Sequence, residues 1–307
     1  MLTVGQECSS FVEVDGSDKV WAVTFGGNGE YLVSGNDEGL RVWQVPDGKQ
    51  IAMTKACQEV QCVAISKDGG WIAAGTFWGN VIVWDAKTYK KTFALENALE
   101  EDHHTTTNRV DFSPDVTRLL VASQDCTATV WDIATRERVL TLRHQDTVIA
   151  AKYSPQGDRI ATATCNFVLV YDSNDGRLLV LIRVKVTPWY NTGLVWLNNH
   201  LLVLSDNEIK RIDASTGSVV SEWPVPDTNT NSCIALPRHG EFITYSTNRT
   251  IVFWDTLTHT QFDLIQHPQD IYSIALSPDD QFLAIGGEHG KTATTRLSRI
   301  TANIASC

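Results

Sequence analysis

The chain has 307 residues, 43% of them hydrophobic, and a formal net charge of -11. So acidic a balance argues against sequence-independent nucleic-acid binding, which needs a basic surface to displace phosphate counterions. No apolar run approaches the ~20 residues of a membrane helix, since the longest stretch, Leu178 to Val186, is interrupted by Arg183 and Lys185. The opening residues MLTVGQECSS have neither the basic start nor the apolar core of a secretory signal.

The cysteines, Cys8, Cys57, Cys62, Cys126, Cys165, Cys233 and Cys307, are odd in number and form no C-x-x-C pair. Reduced, buried thiols in a cytoplasmic protein, with the nucleus a further location, follow from that pattern more readily than disulfides or zinc.

In chain order, Ser10 to Val14 (SFVEV) reads as one short strand ahead of a repeating series. The series then runs through first-strand endings VTFGGNG, VAISKDG, VDFSPDV, AKYSPQG, LVWLNNH, IALPRHG and IALSPDD. Second strands follow as YLVSG, WIAAG, LLVAS, RIATA, LLVLS, FITYS and FLAIG, and third strands as LRVWQ, VIVWD, ATVWD, VLVYD, IKRID, IVFWD and ATTRL. Each third strand closes on a pair: Trp43-Gln44, Trp84-Asp85, Trp131-Asp132, Tyr171-Asp172, Ile212-Asp213, Trp254-Asp255 and Arg296-Leu297. The spacings are 41, 47, 40, 41, 42 and 42 residues, which marks one supersecondary unit stacked on copies of itself. The third unit is the clearest, with strands expected at Arg109–Phe112, Arg118–Ser123, Ala128–Asp132 and Arg138–Leu142, each followed by turn formers. The runs are apolar or β-branched on both faces, as a sheet covered on both sides requires.

These residues carry a resemblance: the chain resembles the WD40-repeat family over essentially its whole length, with the fifth and seventh units degenerate at Ile212 and Arg296. The resemblance implies an all-β fold, a seven-bladed β-propeller of four-stranded antiparallel blades, as a single domain spanning residues 1–307. The last repeat supplies three strands, so its fourth is expected from the N-terminal strand, Ser10 to Val14, pairing with the last blade and removing an open edge.

The resemblance also assigns residues. His103, His144 and His267 lie ten residues before Ser113, Ser154 and Ser277 and match the family's Gly-His position, where the His bonds inward to lock a blade. Its usual partner is a turn Asp six residues before the Trp, a place held here by Asp37 and Asp125, with Asp206 at the same spacing before Ile212. Only the third repeat combines His103, Asp125 and Trp131, with Ser123 as a fourth member, and recurrence of these types at locking positions favours a structural network over a catalytic triad. Ser113-Pro114, Ser154-Pro155 and Ser277-Pro278 recur at one turn and read as turn chemistry.

Other residues depart from the repeat. The loop Glu96 to Thr105 lengthens the entry to the third blade and puts Glu101 and Asp102 beside His103 and His104, which reads as a solvated acidic loop or a contact for a basic partner rather than a metal site. Phe77 and Trp78 replace the turn Asp of the second blade, Trp21 and Tyr272 open the first strands of blades one and seven, and Trp189 and Tyr190 enter blade five. The resemblance places such loops on one top face, where Tyr272, Trp21 and Trp78 would form an aromatic arc across neighbouring blades. They are either binding anchors or plugs of the channel and blade seams.

No phosphate loop, dinucleotide fingerprint, G-x-S-x-G or H-E-x-x-H occurs. The expectation is a non-enzymatic, cofactor-free, monomeric interaction module for protein or peptide partners, basic ones included. The alternatives are a small-ligand or glycan-binding propeller, which the lack of one recurring loop aromatic disfavours, or the sensor part of a larger signalling protein.

Overall fold

The computed structural model describes residues 5–7, 19–45, 47–55, 59–95, 105–186, 193–205, 207–225, 233–237, 240–288 and 292–298. Strand β1 is Gly5–Glu7. Sheet one follows with β2 (Val20–Phe25), β3 (Tyr31–Asn36), β4 (Gly39–Gln44) and β5 (Gln50–Lys55), and sheet two with β6 (Val60–Ile65), β7 (Trp71–Thr76), β8 (Val81–Asp85) and β9 (Lys91–Leu95). Sheet three has β10 (Thr107–Phe112), β11 (Arg118–Ser123), β12 (Thr127–Asp132) and β13 (Arg138–Arg143), and sheet four has β14 (Ala150–Tyr153), β15 (Arg159–Ala163), β16 (Phe167–Asp172) and β17 (Leu178–Arg183). Sheet five has β18 (Leu194–Leu197), β19 (His200–Ser205), β20 (Glu208–Asp213) and β21 (Val219–Pro224), and sheet six has β22 (Ile234–Ala235), β23 (Phe242–Thr247), β24 (Thr250–Asp255) and β25 (Thr260–Gln266). Sheet seven contains β26 (Ile271–Leu276), β27 (Phe282–Gly287) and β28 (Thr292–Ser298).

Among the described residues the strands pair antiparallel into seven four-stranded sheets. Six are meanders in chain order, and in the last the order is β1-β28-β27-β26. There Gly5 pairs with Ser298, Gln6 with Leu297 and Glu7 with Arg296. The strand expected at Ser10 to Val14 lies outside the described residues, and the strand on the last sheet is the earlier segment Gly5–Glu7. The strands expected for the third repeat differ from β10 to β13 by at most two residues at any end.

The first strands β2, β6, β10, β14, β18, β22 and β26 touch one another in succession, and β26 touches β2. The chain is thus an all-β propeller whose four-stranded antiparallel blades surround a channel lined by these strands. No helix among the described residues is long and apolar enough to cross a membrane.

Sequence pattern explains the layering. Central strands such as β3, β7 and β11 are buried along nearly their whole length, because each blade is covered on both faces. The core therefore lies between blades: Val81, Val83 and Phe93 of sheet two pack with Val110, Phe112 and Val121 of sheet three. Trp43 and Trp84 are buried, each worth about 1.5–3 kcal/mol or more in apolar burial, and the Trp43 indole donates to Ser34 Oγ at 2.9 Å. The outer strands carry most of the large exposed apolar residues, including Leu178, Leu181 and Val220.

Glycine sets the spacing at three of the seams. A Cβ on Gly35 would lie 2.5 Å from Val60 Cγ1, on Gly75 2.3 Å from Thr107 Cγ2, and on Gly286 2.9 Å from Val20 Cγ1. Each is the penultimate residue of a second strand, where the first strand of the following blade presses in, at the junctions of blades one with two, two with three, and seven with one. These are the blades that carry most of the loop aromatics.

Candidate functional site

The first strands of blades one, two, three and seven share an irregularity that aims side chains. Register shifts fall between Val20 and Ala22, Val60 and Cys62, Thr107 and Arg109, and Ile271 and Ser273. Each passes over one residue, respectively Trp21, Gln61, Asn108 and Tyr272. A bulge leaves its extra residue outside the ladder and redirects its side chain. All four sit where the chain enters a blade, so the bulges present them at one rim of the channel.

At that rim Trp21 and Tyr272 stack, with ring centroids 5.1 Å apart and planes at 22°. Lys19 Nζ lies 5.1 Å from the Trp21 ring centre and 5.9 Å from that of Tyr272. The Trp21 indole N–H donates to Asp37 Oδ1 at 2.7 Å, and the Lys19 backbone N–H points at Asp37 Oδ2 at 3.4 Å. Glu59 faces the same group. Burial raises its pKa most, followed by repulsion from Asp37, while Gln61, Lys19 and Trp21 oppose the shift. Lys19, Glu59 and Asp270 each immediately precede a first strand, so ring closure gathers residues that are far apart in sequence.

Phe77 and Trp78 adjoin this cluster through the backbone, since the Phe77 N–H donates to the Glu59 carbonyl at 2.9 Å and the Phe77 carbonyl accepts from Thr106 Oγ1 at 3.1 Å. Their rings meet edge to face at 5.5 Å. Trp78 is 47% exposed and Phe77 38%, whereas Tyr272 is only 7% exposed. Tyr272 is therefore not an open contact of the unbound protein: Trp21 covers one side of its ring and Lys19 approaches it as well. On the other flank Arg249 Nε pairs with Asp270 Oδ1 at 2.8 Å.

The residues expected to lock blades make the following contacts among the described residues. Asp37 accepts from Trp21 rather than from a histidine, because no histidine precedes the first blade. His144 Nδ1 donates to the Leu142 carbonyl at 3.1 Å, while Nε2 lies 2.8 Å from Thr162 Oγ1 and 3.3 Å from the Tyr171 hydroxyl. Burial lowers its pKa. His267 Nδ1 donates to the Gln269 carbonyl at 2.9 Å. Asp125 accepts from the Thr127 N–H and hydroxyl at 2.9 and 2.7 Å, and the Trp131 indole donates to Thr129 Oγ1 at 2.9 Å. Glu101, Asp102, His103, Trp189 and Tyr190 lie outside the described residues.

Sequence reading missed Lys19, Glu59 and Gln61, although Lys19 stands two residues before Trp21, and Glu59 and Gln61 lie just ahead of the VAISKDG ending. It also missed Arg109 in β10. Burial pulls the pKa of this guanidinium down, opposed by Cys62, Cys233 and Asp111. Among the described residues no group of three or more His, Cys, Asp or Glu side chains is placed to hold a metal ion. The opposite face has a polar cleft of about 170 Å³ between blades three and four, lined by Arg118, Tyr153 and Asn174 among others.

The model of the "WD domain, G-beta repeat" family matches residues 7–44, 48–85, 97–132 and 258–292. The chain is similar to the mouse (Mus musculus) serine-threonine kinase receptor-associated protein, 25% identical over 183 residues, which is 58% of this chain and 51% of the relative. It is also similar to WD repeat-containing protein 1 of Xenopus tropicalis, 27% identical over 234 residues, or 72% of this chain and 37% of the relative. The matches thus span about half or less of these relatives' lengths.

Proposed function

Because this chain belongs to the WD40-repeat family, we propose that it is a non-enzymatic recognition module that presents the rim around Trp21, Trp78 and Tyr272 to a protein or peptide partner. The observation that carries this reading is the pairing of exposed aromatics with carboxylates on one rim: Phe77 and Trp78 open to solvent, with Asp37 and Glu59 beside Trp21. Aromatic anchors supply contact area, and carboxylates select partners that bring positive charge. A net charge of -11 works in the same direction at longer range.

Preorganisation is the mechanism. A closed ring of packed blades loses little entropy on binding, and loops on a rigid frame set specificity. We read the ring as seven-bladed and sealed by the N-terminal strand, a reading supported by the sheet pairings and by the β1–β28 register. The relatives' names describe a receptor-associated protein and a repeat-containing protein, which suits a binding role. A monomer in the cytoplasm or nucleus that acts without a cofactor completes the proposal, with the acidic loop through Glu101 and Asp102 as a second contact.

The test is capture of partners by wild type and by Trp78→Ala. Loss of captured proteins with the variant, at unchanged melting temperature, supports the rim; identical capture by both sinks it.

A further inference from the structure

The rim holds a cation of its own. Lys19 Nζ lies within 6 Å of two ring centres at once, and an ammonium at that range is drawn to the negative π-faces. Two carboxylates, Asp37 and Glu59, lie beside Trp21 and Lys19. One positive charge therefore meets two negative ones, and the next cation along the rim, Arg249, is held by Asp270 at 2.8 Å. The aromatic pair, the flanking carboxylates and the charge deficit all call for the same chemistry: a cationic side chain.

We propose that Trp21 and Tyr272 form a receptor for an arginine or lysine side chain of a partner, and that Lys19 is the built-in occupant this side chain displaces. The proposal deepens the reading of the rim above and rests on it. Three details fit the exchange. Lys19 sits at the start of a strand, on a stem of four carbons that can swing its ammonium aside. Tyr272, nearly covered in the unbound protein, is the ring that displacement would open. Phe77 and Trp78 stand exposed next to Glu59 and can pack against the backbone or aliphatic stem of the incoming residue. Arginine suits the site best, because its planar guanidinium can lie flat on a ring while donating to a carboxylate.

The chemistry can be read with small probes. The Trp21 indole N–H resonance, assigned with Trp21→Phe, is followed by NMR as wild type and Lys19→Ala are titrated with N-acetyl-arginine amide and with its neutral analogue N-acetyl-citrulline amide. Removing the competitor should tighten the arginine probe about fivefold to tenfold, the scale of one cation–π contact. Lys19→Arg, which keeps a cation, should titrate like wild type, and the citrulline probe should move nothing. Equal arginine affinity in wild type and Lys19→Ala, loss of the response in Lys19→Ala, or equal binding of citrulline would each overturn the proposal. The two readings fail separately. If Trp78→Ala loses partner capture while Lys19→Ala gains no affinity for the probe, the rim stands and the displaced lysine falls.

Discussion

The Trp21 ring stacks on Tyr272 at 5.1 Å across 251 positions of sequence, at the seam where the first blade meets the last. Both residues are the passed-over residues of equivalent bulges. The contact exists only because the ring closes: β26 lies against β2, and the Val23 N–H donates to Ser273 Oγ at 3.1 Å in the same seam. The proposed rim and the meeting of the first and last blades thus coincide at this point.

Exposure separates Trp43, which closes a repeat, from Trp78, which departs from the repeat. Trp78→Ala should leave stability within about 0.5 kcal/mol of wild type, as for an exposed side chain outside the packed core, while weakening partner capture. Trp43→Ala removes a buried ring and its bond to Ser34 and should cost about 3–5 kcal/mol. Denaturant melts of the two variants check the contrast, and a large loss with Trp78→Ala would make Trp78 part of the core.

The seams should resist even a methyl group. Gly75→Ala places a Cβ 2.3 Å from Thr107 Cγ2 and 2.7 Å from Cys62 Sγ. Blades two and three would have to part, at a cost of about 1–3 kcal/mol. A melting temperature equal to that of wild type would show that this seam yields.

Sequence showed much of this and hid a definable remainder. Strand positions were legible because blades covered on both faces demand apolar runs, as in YLVSG and WIAAG. The equivalence of Trp21 and Tyr272 was legible from their places at first-strand starts. The burial of Tyr272 was not, because Trp21 and Lys19 cover it from another blade. Glu59 escaped notice for the same reason: its partners Trp21 and Asp37 belong to the preceding repeat, and only the radial packing of blades brings them together. His144 bonds to Thr162 and Tyr171, and Tyr171 closes its repeat as Trp43 does, with Thr162 nine residues before it as Ser34 is before Trp43.

Glu59 should exchange stability for binding. Its folded pKa is raised above 4.5, first by burial and then by Asp37. The folded state therefore holds that proton more tightly than the unfolded chain. The resulting stabilisation is full below pH 4.5 and lost as pH rises through the raised value. Glu59→Gln should raise the melting temperature at pH 7, flatten its dependence above pH 4.5, and weaken binding of a cationic peptide. A lower melting temperature for the variant at pH 7 would show that the charged carboxylate stabilises the fold.

His144 titrates in the opposite sense. Burial holds its folded pKa below 6.5. Its neutral form contributes stability that is full above pH 6.5 and lost as pH falls through the depressed value. His144→Gln should be less stable than wild type at pH 8 and should lose less on acidification to pH 5. Parallel melting curves across that range would contradict the assignment.

The N-terminal strand should matter to the ring. Removing residues 1–15 deletes β1 and leaves β28 with an unpaired edge, a template for association between molecules. The truncated protein should melt lower and aggregate earlier, as followed by light scattering during a thermal ramp. Unchanged melting and solubility would mean that the other three strands hold the last sheet by themselves.

The most direct test compares affinity capture by three proteins of matched melting temperature: wild type, the rim variant Phe77→Ala/Trp78→Ala, and an outer-edge variant, Leu178→Ser/Leu181→Ser on β17. The rim variant should lose partners that wild type and the outer-edge variant both retain. Partners kept by the rim variant and lost with the β17 variant would move the interaction surface to the side of the propeller and contradict the account.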